Sequence, residues 1–316
     1  MEGKIRFAPS PTGYLHEGHL LSALYVWAAA RKWGLQIHLR IEDHDQGRAR
    51  PEYIDSIYED LEWFGFRWDS QSIQSARTAL YEAALEGLLK RGLVYPCYCS
   101  RKQLEAENPK SETGEIVYRG KCFLRHTEAL RSKTKNSMDT LVASRLRCDD
   151  LRQDFLRCDE QPHNLRIVIP DKVIHWHDMR LGDFNENPKL QCGDFPIRDR
   201  EGQWTYQFAV CVDDIEEGIT HIVRGEDIRS STARQIALMR LLGRETPPLY
   251  LHHPLIVDPT GKKLSKRERA HSLRQDRDAG ITASELLGRV CHKAGFLPNS
   301  TPLSLENAIS IVEQSL

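Results

Sequence analysis

Short apolar runs alternate with longer stretches in which apolar residues return every three or four positions, and this alternation dominates the N-terminal part of the chain. Residues 5–8 (Ile-Arg-Phe-Ala) read as a short buried strand. The loop Pro9-Ser10-Pro11-Thr12-Gly13 follows, in which proline fixes φ and glycine frees it before a sharp turn. Helical spacing then begins, with Leu20, Leu24 and Trp27 on one face over roughly 18–32. Residues 36–41 form a second strand ending in the acidic cluster Glu42-Asp43-His44-Asp45. Two helical stretches follow, about 51–64 and 76–91, the first with Pro51 at its first position. Strands separated by helices predict a parallel, doubly wound α/β sheet.

From about Tyr95 to Gly193 the periodicity becomes erratic, and cysteine, arginine and turn residues become frequent. This stretch reads as an insert in the α/β fold. Alternation resumes at Asp194-Phe195-Pro196-Ile197, followed by a turn at Glu201-Gly202, an apolar segment over 206–212, a strand over 221–223 and a helix over 230–242. The last part is helical, with Leu286, Leu287, Val290, Cys291 and Ala294 on one face and a short amphipathic end over 305–312. Four segments are therefore expected: 1–94 and 194–260 as the two halves of the α/β domain, 95–193 as the insert, and 261–316 as a loop with a helical tail.

Composition narrows the class. The chain has 316 residues, 40% hydrophobic and 28% charged, with a formal net charge of -1. That balance is ordinary for a soluble globular protein and provides no global positive field for nucleic acid, so any RNA contact must come from local basic patches. No secretory signal is expected after Met1-Glu2-Gly3-Lys4, and the apolar run over 20–30 is too short to span a bilayer. No membrane partner is expected, and the eight cysteines read as reduced thiols in a cytoplasmic protein, expected to be a monomer.

Two remote constellations carry chemistry. His16-Glu17-Gly18-His19 stands where a strand and loop feed a helix N-terminus, whose unpaired amides and partial positive charge suit a triphosphate. The two imidazoles can both donate to phosphate oxygens, and Gly13 and Gly18 leave room for a flat base. Far away, Gly261-Lys262-Lys263-Leu264-Ser265-Lys266 is a glycine-led loop whose ammonium groups could neutralise charge building on a polyphosphate.

The segment from Arg6 to His19, Arg-Phe-Ala-Pro-Ser-Pro-Thr-Gly-Tyr-Leu-His-Glu-Gly-His, resembles the first signature of the glutamyl branch of the class I aminoacyl-tRNA synthetases. Lys263-Leu264-Ser265-Lys266-Arg267 resembles its second, KMSKS-type loop, and Leu39-Arg40-Ile41-Glu42-Asp43 and Val223-Arg224-Gly225-Glu226-Asp227 are similar to the same branch. The resemblance covers residues 6–267 and implies an α/β class I synthetase fold. In that fold a Rossmann-like parallel sheet carries an inserted, zinc-stapled subdomain and a short helical C-terminal segment. Within the branch the chain is most similar to short members that attach glutamate to queuosine in tRNA(Asp), which look like a glutamyl-tRNA synthetase cut short after the lysine loop. No anticodon-binding domain is expected, since only residues 268–316 follow Arg267.

Free glutamate carries two carboxylates and one ammonium, so its site needs guanidinium clamps and an acid. Arg6 and Arg224 fit the carboxylates, Glu42 the ammonium, and Tyr206 the pocket lining. Which arginine takes the side-chain carboxylate stays open. The resemblance implies glutamate contacts from Arg6, Phe7, Ala8, Pro9, Ser10, Glu42, Tyr206 and Arg224. It implies ATP contacts from His16, Gly18, His19 and Lys266, and catalytic roles for His16, His19, Lys263 and Lys266. The reaction it implies is tRNA-independent attack of L-glutamate on the α-phosphate of ATP, with Mg2+ accompanying the nucleotide, then glutamyl transfer to queuosine in the anticodon loop of tRNA(Asp). Two other readings stand beside it: a short glutamyl-tRNA synthetase charging a tRNA 3′ end, and a catalytically silent RNA-binding relative. Intact His16, His19, Lys263 and Lys266 argue against the latter.

Cys97, Cys99 and Cys122 are candidate zinc ligands, because thiolates favour a zinc tetrahedron. For the fourth position the chemistry of the residues nominates His126, whereas the family pattern Cys-x-Cys…Tyr-x-x-x-Cys is matched by Tyr118; one structural Zn2+ on Cys97, Cys99, Tyr118 and Cys122 is expected. Cys211 and Cys291 read as core residues, and Cys148 and Cys158 fall in a stretch of alternating arginine and aspartate expected to be a solvated surface.

Overall fold

The computed structural model describes residues 3–125, 127, 162–256 and 271–316. The lysine loop with Lys263 and Lys266, as well as His126, Cys148 and Cys158, lies outside the described residues. Strand β1 (Lys4–Phe7) is followed by helix α1 (Glu17–Trp33), which starts where two histidines can cap it. His16 Nδ1 accepts from the Gly18 amide and His19 Nδ1 accepts from the His16 amide, both at 3.1 Å, a reciprocal capping box built from imidazoles. The helix stops at Gly34, whose φ of 63° is the left-handed conformation that glycine adopts without penalty. Next come β2 (Gln36–Ile41) and α2 (Pro51–Phe64), the latter opened by Pro51, where the missing amide costs nothing.

Strand β3 (Ser70–Ile73) and a tight turn over Gln74–Arg77 lead into α3 (Thr78–Lys90). Then follow β4 (Val94–Cys97), α4 (Arg101–Glu107), β5 (Asn164–Ile167), β6 (Ile174–Asp178), β7 (Gly182–Glu186) and β8 (Pro196–Arg198). The chain continues through α5 (Tyr206–Glu216), β9 (His221–Gly225), α6 (Thr232–Leu241) and β10 (Leu249–His253). It ends in α7 (Leu273–Asp278), α8 (Ala283–Lys293) and α9 (Leu305–Glu313). The seven-stranded sheet runs β3-β2-β1-β9-β10-β6-β7, parallel throughout except for the β6–β7 hairpin at one edge. A second, antiparallel sheet has the order β4-β5-β8.

The expected segment boundary at 193/194 does not follow the sheets. Strands β6 and β7, inside the stretch read as an insert, belong to the large sheet, while β8, read as its resumption, pairs with β5 in the small one. The reason is visible in β6: Ile174, Trp176 and Asp178 are buried while His175 and His177 face outward, so the alternation is carried by histidines and an aspartate rather than by an apolar run. Strand β3 escaped the sequence reading for a similar reason. It is Ser-Gln-Ser-Ile at the sheet edge, with only Ile73 apolar.

Two apolar clusters cover the faces of the large sheet. One joins α1, α2, α8 and α9 to Ile5, Phe7, Leu39, Ile41, Val223 and Leu251; the other joins α3, α5 and α6 to Ile222, Tyr250 and Trp176. The C-terminal helices are therefore part of the principal core. Arg31 on α1 donates to Glu306, Ser310 and Glu313 of α9, and Leu286, Val290, Cys291, Ala308 and Val312 are fully enclosed. Gly288 on α8 lies against the Thr301 backbone, and a Cβ there would overlap the Thr301 carbonyl. Gly288→Ala should therefore lower stability by about 1–3 kcal/mol, as overpacking does. Chemical denaturation should show this loss, and an unchanged midpoint would remove the claim that α8 and the 301–303 segment pack backbone to side-chain-free surface.

Candidate functional site

Strand order reverses at β1: the chain builds outward through β2 and β3, then returns to place β9 and β10 on the other side. In an open parallel sheet the loops leaving the strand C-termini diverge at such a point and leave a crevice. Here the loops after β1, β2, β9 and β10 surround a cleft of about 890 Å³. Arg6, Phe7, Ala8, Pro9, Ser10, Glu42, Tyr206 and Arg224 all line it, and so do His16, Gly18 and His19. The sequence-derived amino-acid and nucleotide sets thus share one space. Lys263 and Lys266 lie outside the described residues, but the positions on either side of that stretch, Ile256 and His271, both border the cleft.

The His16 turn is pinned from the C-terminal side. The Leu273 amide donates to the Leu15 carbonyl at 2.8 Å, and His16 forms a β-bridge with Ser272. Glu17 accepts from Lys293 Nζ and forms an ion pair with Arg289 Nε, each at 2.6 Å, so α8 is tied to the first turn of α1. Since both Nδ1 atoms accept cap hydrogen bonds, the ring proton of each neutral imidazole sits on Nε2. The His16 ring stands beside Gly18, where a Cβ would meet it at 3.0 Å, so the position has no space for a side chain of its own.

Beneath the amino-acid side of the cleft lies a buried ion network that sequence reading missed. Arg40, fully enclosed, donates to Asp214 and Glu217 at 2.8 Å and to Glu42 at 3.2 Å. Arg6 donates to Asp214 at 3.1 Å, and Arg77 to Asp213 at 2.7 Å. Three guanidiniums (Arg6, Arg40, Arg77) thus face four carboxylates (Glu42, Asp213, Asp214, Glu217), one carboxylate in excess. Glu42 is the carboxylate of that set that reaches the cleft, and burial pushes its carboxyl above the usual range. A cationic group arriving there would balance the set. The signal was present in the sequence as an arginine flanked by Leu39 and Ile41 in a buried strand and as the acidic run Asp213-Asp214 on an apolar helix.

Arg224, at 5% exposure, stands across the cleft and is held differently. It donates to His252 Nε2 at 3.0 Å, Gln235 Oε1 at 2.7 Å and Thr232 Oγ1 at 2.8 Å. His252 Nδ1 is 2.6 Å from Asp178 Oδ2, and Asp178 also accepts from the Arg180, Leu181 and His252 amides. Burial opposes ionisation of Asp178, but these donors outweigh it and hold its carboxyl below the usual range.

Away from the cleft, Cys97, Cys99 and Cys122 bring their sulfurs within 4.8 Å of one another, and all three are buried. Tyr118 Oη lies 3.6 Å from Cys97 Sγ and 3.9 Å from Cys99 Sγ, and it accepts from the Cys122 amide at 2.8 Å. Three soft thiols and one phenol converging on a point within a small apolar cluster fit a tetrahedral metal ion. A Cβ at Gly193, where φ is 66°, would strike the Tyr118 carbonyl, so the chain approaches this cluster closely through a residue without a side chain. Cys211 and Cys291 are buried core residues, and no helix among the described residues is long and apolar enough to cross a membrane.

Comparison with known proteins agrees with this geometry. The family described as tRNA synthetases class I (E and Q), catalytic domain, matches residues 3–302. A protein of Nitratidesulfovibrio vulgaris named glutamyl-Q tRNA(Asp) synthetase is 36% identical, covering 97% of this chain and 91% of its own length. Proteins of the same name from Geobacter sulfurreducens and Albidiferax ferrireducens are 38% and 41% identical over 96% and 85% of this chain, and 87% and 85% of their own lengths. Among solved structures, a glutamate-tRNA synthetase from Elizabethkingia anophelis superposes with a TM-score of 0.71 at 26% identity. It covers 99% of this chain, which spans 66% of that protein. A glutamate tRNA ligase from Elizabethkingia meningosepticum, in complex with its amino acid, gives the same values.

The ion network has a pH signature. Burial would raise the Glu217 carboxyl, but hydrogen bonds from His38 and Ser72 and the charge of Arg40 draw it down to about 2, from an ordinary 4.5. Its contribution is complete above the unfolded value and is lost as pH falls from there through about 2; the shift corresponds to about 3 kcal/mol. Denaturant midpoints measured from pH 6 down to pH 2 should fall for the wild type and fall less steeply for Glu217→Gln. Parallel curves would contradict the assignment.

Proposed function

The chain belongs to the class I tRNA synthetases of the E and Q type, and on that premise we propose that it activates L-glutamate with ATP and transfers the glutamyl group to queuosine in the anticodon loop of tRNA(Asp). The observation that carries the activation step is the single cleft lined by both the amino-acid and the nucleotide sets of side chains. The acceptor rests on relatives named glutamyl-Q tRNA(Asp) synthetase at 36–41% identity, against 26% for the two glutamate-tRNA synthetase structures.

In this reading the ammonium of glutamate sits at Glu42, where the ion network has one carboxylate in excess, and the carboxylates are drawn to Arg6 and Arg224. Phe7, Ala8, Pro9, Ser10 and Tyr206 form the walls. ATP lies along the His16–His19 turn, where Nε2–H of each imidazole can donate to phosphate oxygens and the positive end of the α1 dipole favours their charge. The glutamate α-carboxylate then attacks the α-phosphorus, the bond to the bridging oxygen breaks, and pyrophosphate leaves with the electron pair. Lys263 and Lys266 are assigned to stabilise that charge, and Mg2+ accompanies the nucleotide. No covalent enzyme nucleophile is needed; orientation and charge stabilisation supply the acceleration. A hydroxyl of queuosine attacks the resulting mixed anhydride and releases AMP.

A cationic clamp also explains the choice of amino acid. Glutamine would present a neutral amide to a buried guanidinium and leave it without a counter-charge, which costs far more than a lost methylene. The thiol cluster is assigned one structural Zn2+ on Cys97, Cys99, Cys122 and Tyr118, pinning a segment whose own apolar cluster is small.

The deciding experiment incubates the protein with ATP, labelled glutamate and tRNA(Asp) carrying or lacking queuosine, then cuts the RNA with nuclease to locate the label. Label in the anticodon fragment of queuosine-containing tRNA alone is expected. Label at the 3′-terminal nucleotide would favour the glutamyl-tRNA synthetase reading, and no label with no adenylate would favour a silent RNA-binding relative. For the metal, elemental analysis should give one zinc per chain, and Cys122→Ser should lose it together with thermal stability. A metal-free wild type with an unchanged melting point in chelator would exclude the assignment.

A further inference from the structure

Three arginines, Arg6, Arg40 and Arg224, are buried around the cleft, and their charges are met in different ways. Arg6 and Arg40 are each within 3.1 Å of a carboxylate. Arg224 is 5% exposed, and its guanidinium donates only to neutral acceptors: an imidazole nitrogen, an amide oxygen and a hydroxyl. Among the described residues no carboxylate pairs with it. The nearest one in its hydrogen-bond chain is Asp178, separated from it by the whole imidazole of His252.

This arrangement is specific in its protonation. His252 can accept from Arg224 at Nε2 only if its proton is on Nδ1, and Asp178 holds it there by accepting at 2.6 Å. Gln235 must present its oxygen to Arg224, and its NH2 is committed at 2.9 Å to Gln207 Oε1, which fixes the amide orientation. A buried cation without a counter-ion is costly, and a fold built only for stability would answer it with a carboxylate. We infer that Gln235 and His252 are positioning residues that aim Arg224 while leaving its charge unneutralised, so that a carboxylate of the amino-acid substrate supplies the missing ion pair. This rests on the glutamate-activation reading above and extends it to residues that do not themselves touch substrate.

The test exploits the near-identity in shape of glutamine and glutamate. Gln235→Glu puts a resident carboxylate on Arg224, and Gln207 can turn its amide over to donate to it. In glutamate-dependent ATP–pyrophosphate exchange with the full chain, this variant should raise the KM for glutamate at least about tenfold. The KM for ATP should stay within about twofold of wild type, and the melting temperature should be no lower. Gln235→Met removes the same acceptor without adding charge and should raise the glutamate KM less than Gln235→Glu does. A Gln235→Glu variant with wild-type glutamate KM, or one in which both KM values rise together, would overturn the inference. So would a Met variant as impaired as the Glu variant, because the effect would then be packing rather than charge. Absence of glutamate-dependent exchange in the wild type would overturn the activation reading, and this inference with it.

Discussion

A guanidinium withdrawn from water has to be answered by something, and the cleft is organised by how that is done. Arg40 has no exposed surface, yet it bridges β2 to Asp214 on α5 and Glu217 at its end, and holds Glu42 beside it. Without it, four carboxylates would be crowded beneath the strand ends with two guanidiniums to balance them. Its presence allows Arg6 and Glu42 to stand at the floor of the cleft as fixed charges. Breaking a buried pair of this kind costs several kcal/mol because the partner is left unpaired, so the network resists piecemeal change.

The same reasoning gives the cleft two electrical ends. Around Glu42 carboxylates outnumber guanidiniums by one, and around Arg224 a positive charge is held by neutral groups alone. An amino acid with an ammonium at one end and a carboxylate at the other fits that polarity. Loops in an α/β fold are free to vary, but Arg6, Arg40, Arg224, Asp213 and Asp214 sit on strands β1, β2 and β9 and on helix α5, and Glu42 follows directly on β2, so regular backbone fixes the charges.

Much of the fold was legible because its elements announce themselves locally. Residues 36–41 and 51–64 read as a strand and a helix from apolar spacing and Pro51 alone, and β2 and α2 have those limits. The residues brought together in the cleft were legible as types, since imidazoles at a helix start and arginines at strand ends have few other uses in that arrangement. What stayed hidden was whatever depends on partners remote in sequence. Arg40 was readable as part of a motif but not as a hub, because Asp213, Asp214 and Glu217 lie more than 170 residues away. His252 and Gln235 gave no signal at all: a histidine in a strand and a glutamine in a helix acquire meaning only when both are placed on one guanidinium. The strands β3, at the sheet edge, and β6, between β10 and β7, were missed because polar residues can fill a strand that has one side in water.

The return of the chain to the His16 turn has one further consequence. Leu273 and Ser272 clasp the backbone at Leu15 and His16, Arg289 and Lys293 grip Glu17, and α9 is bolted to α1 through Arg31. The two extremities of the polypeptide are thereby welded into one block. The nucleotide-facing turn is only as rigid as the tail that braces it, so the tail's integrity sets the geometry of a motif encoded some 250 residues earlier.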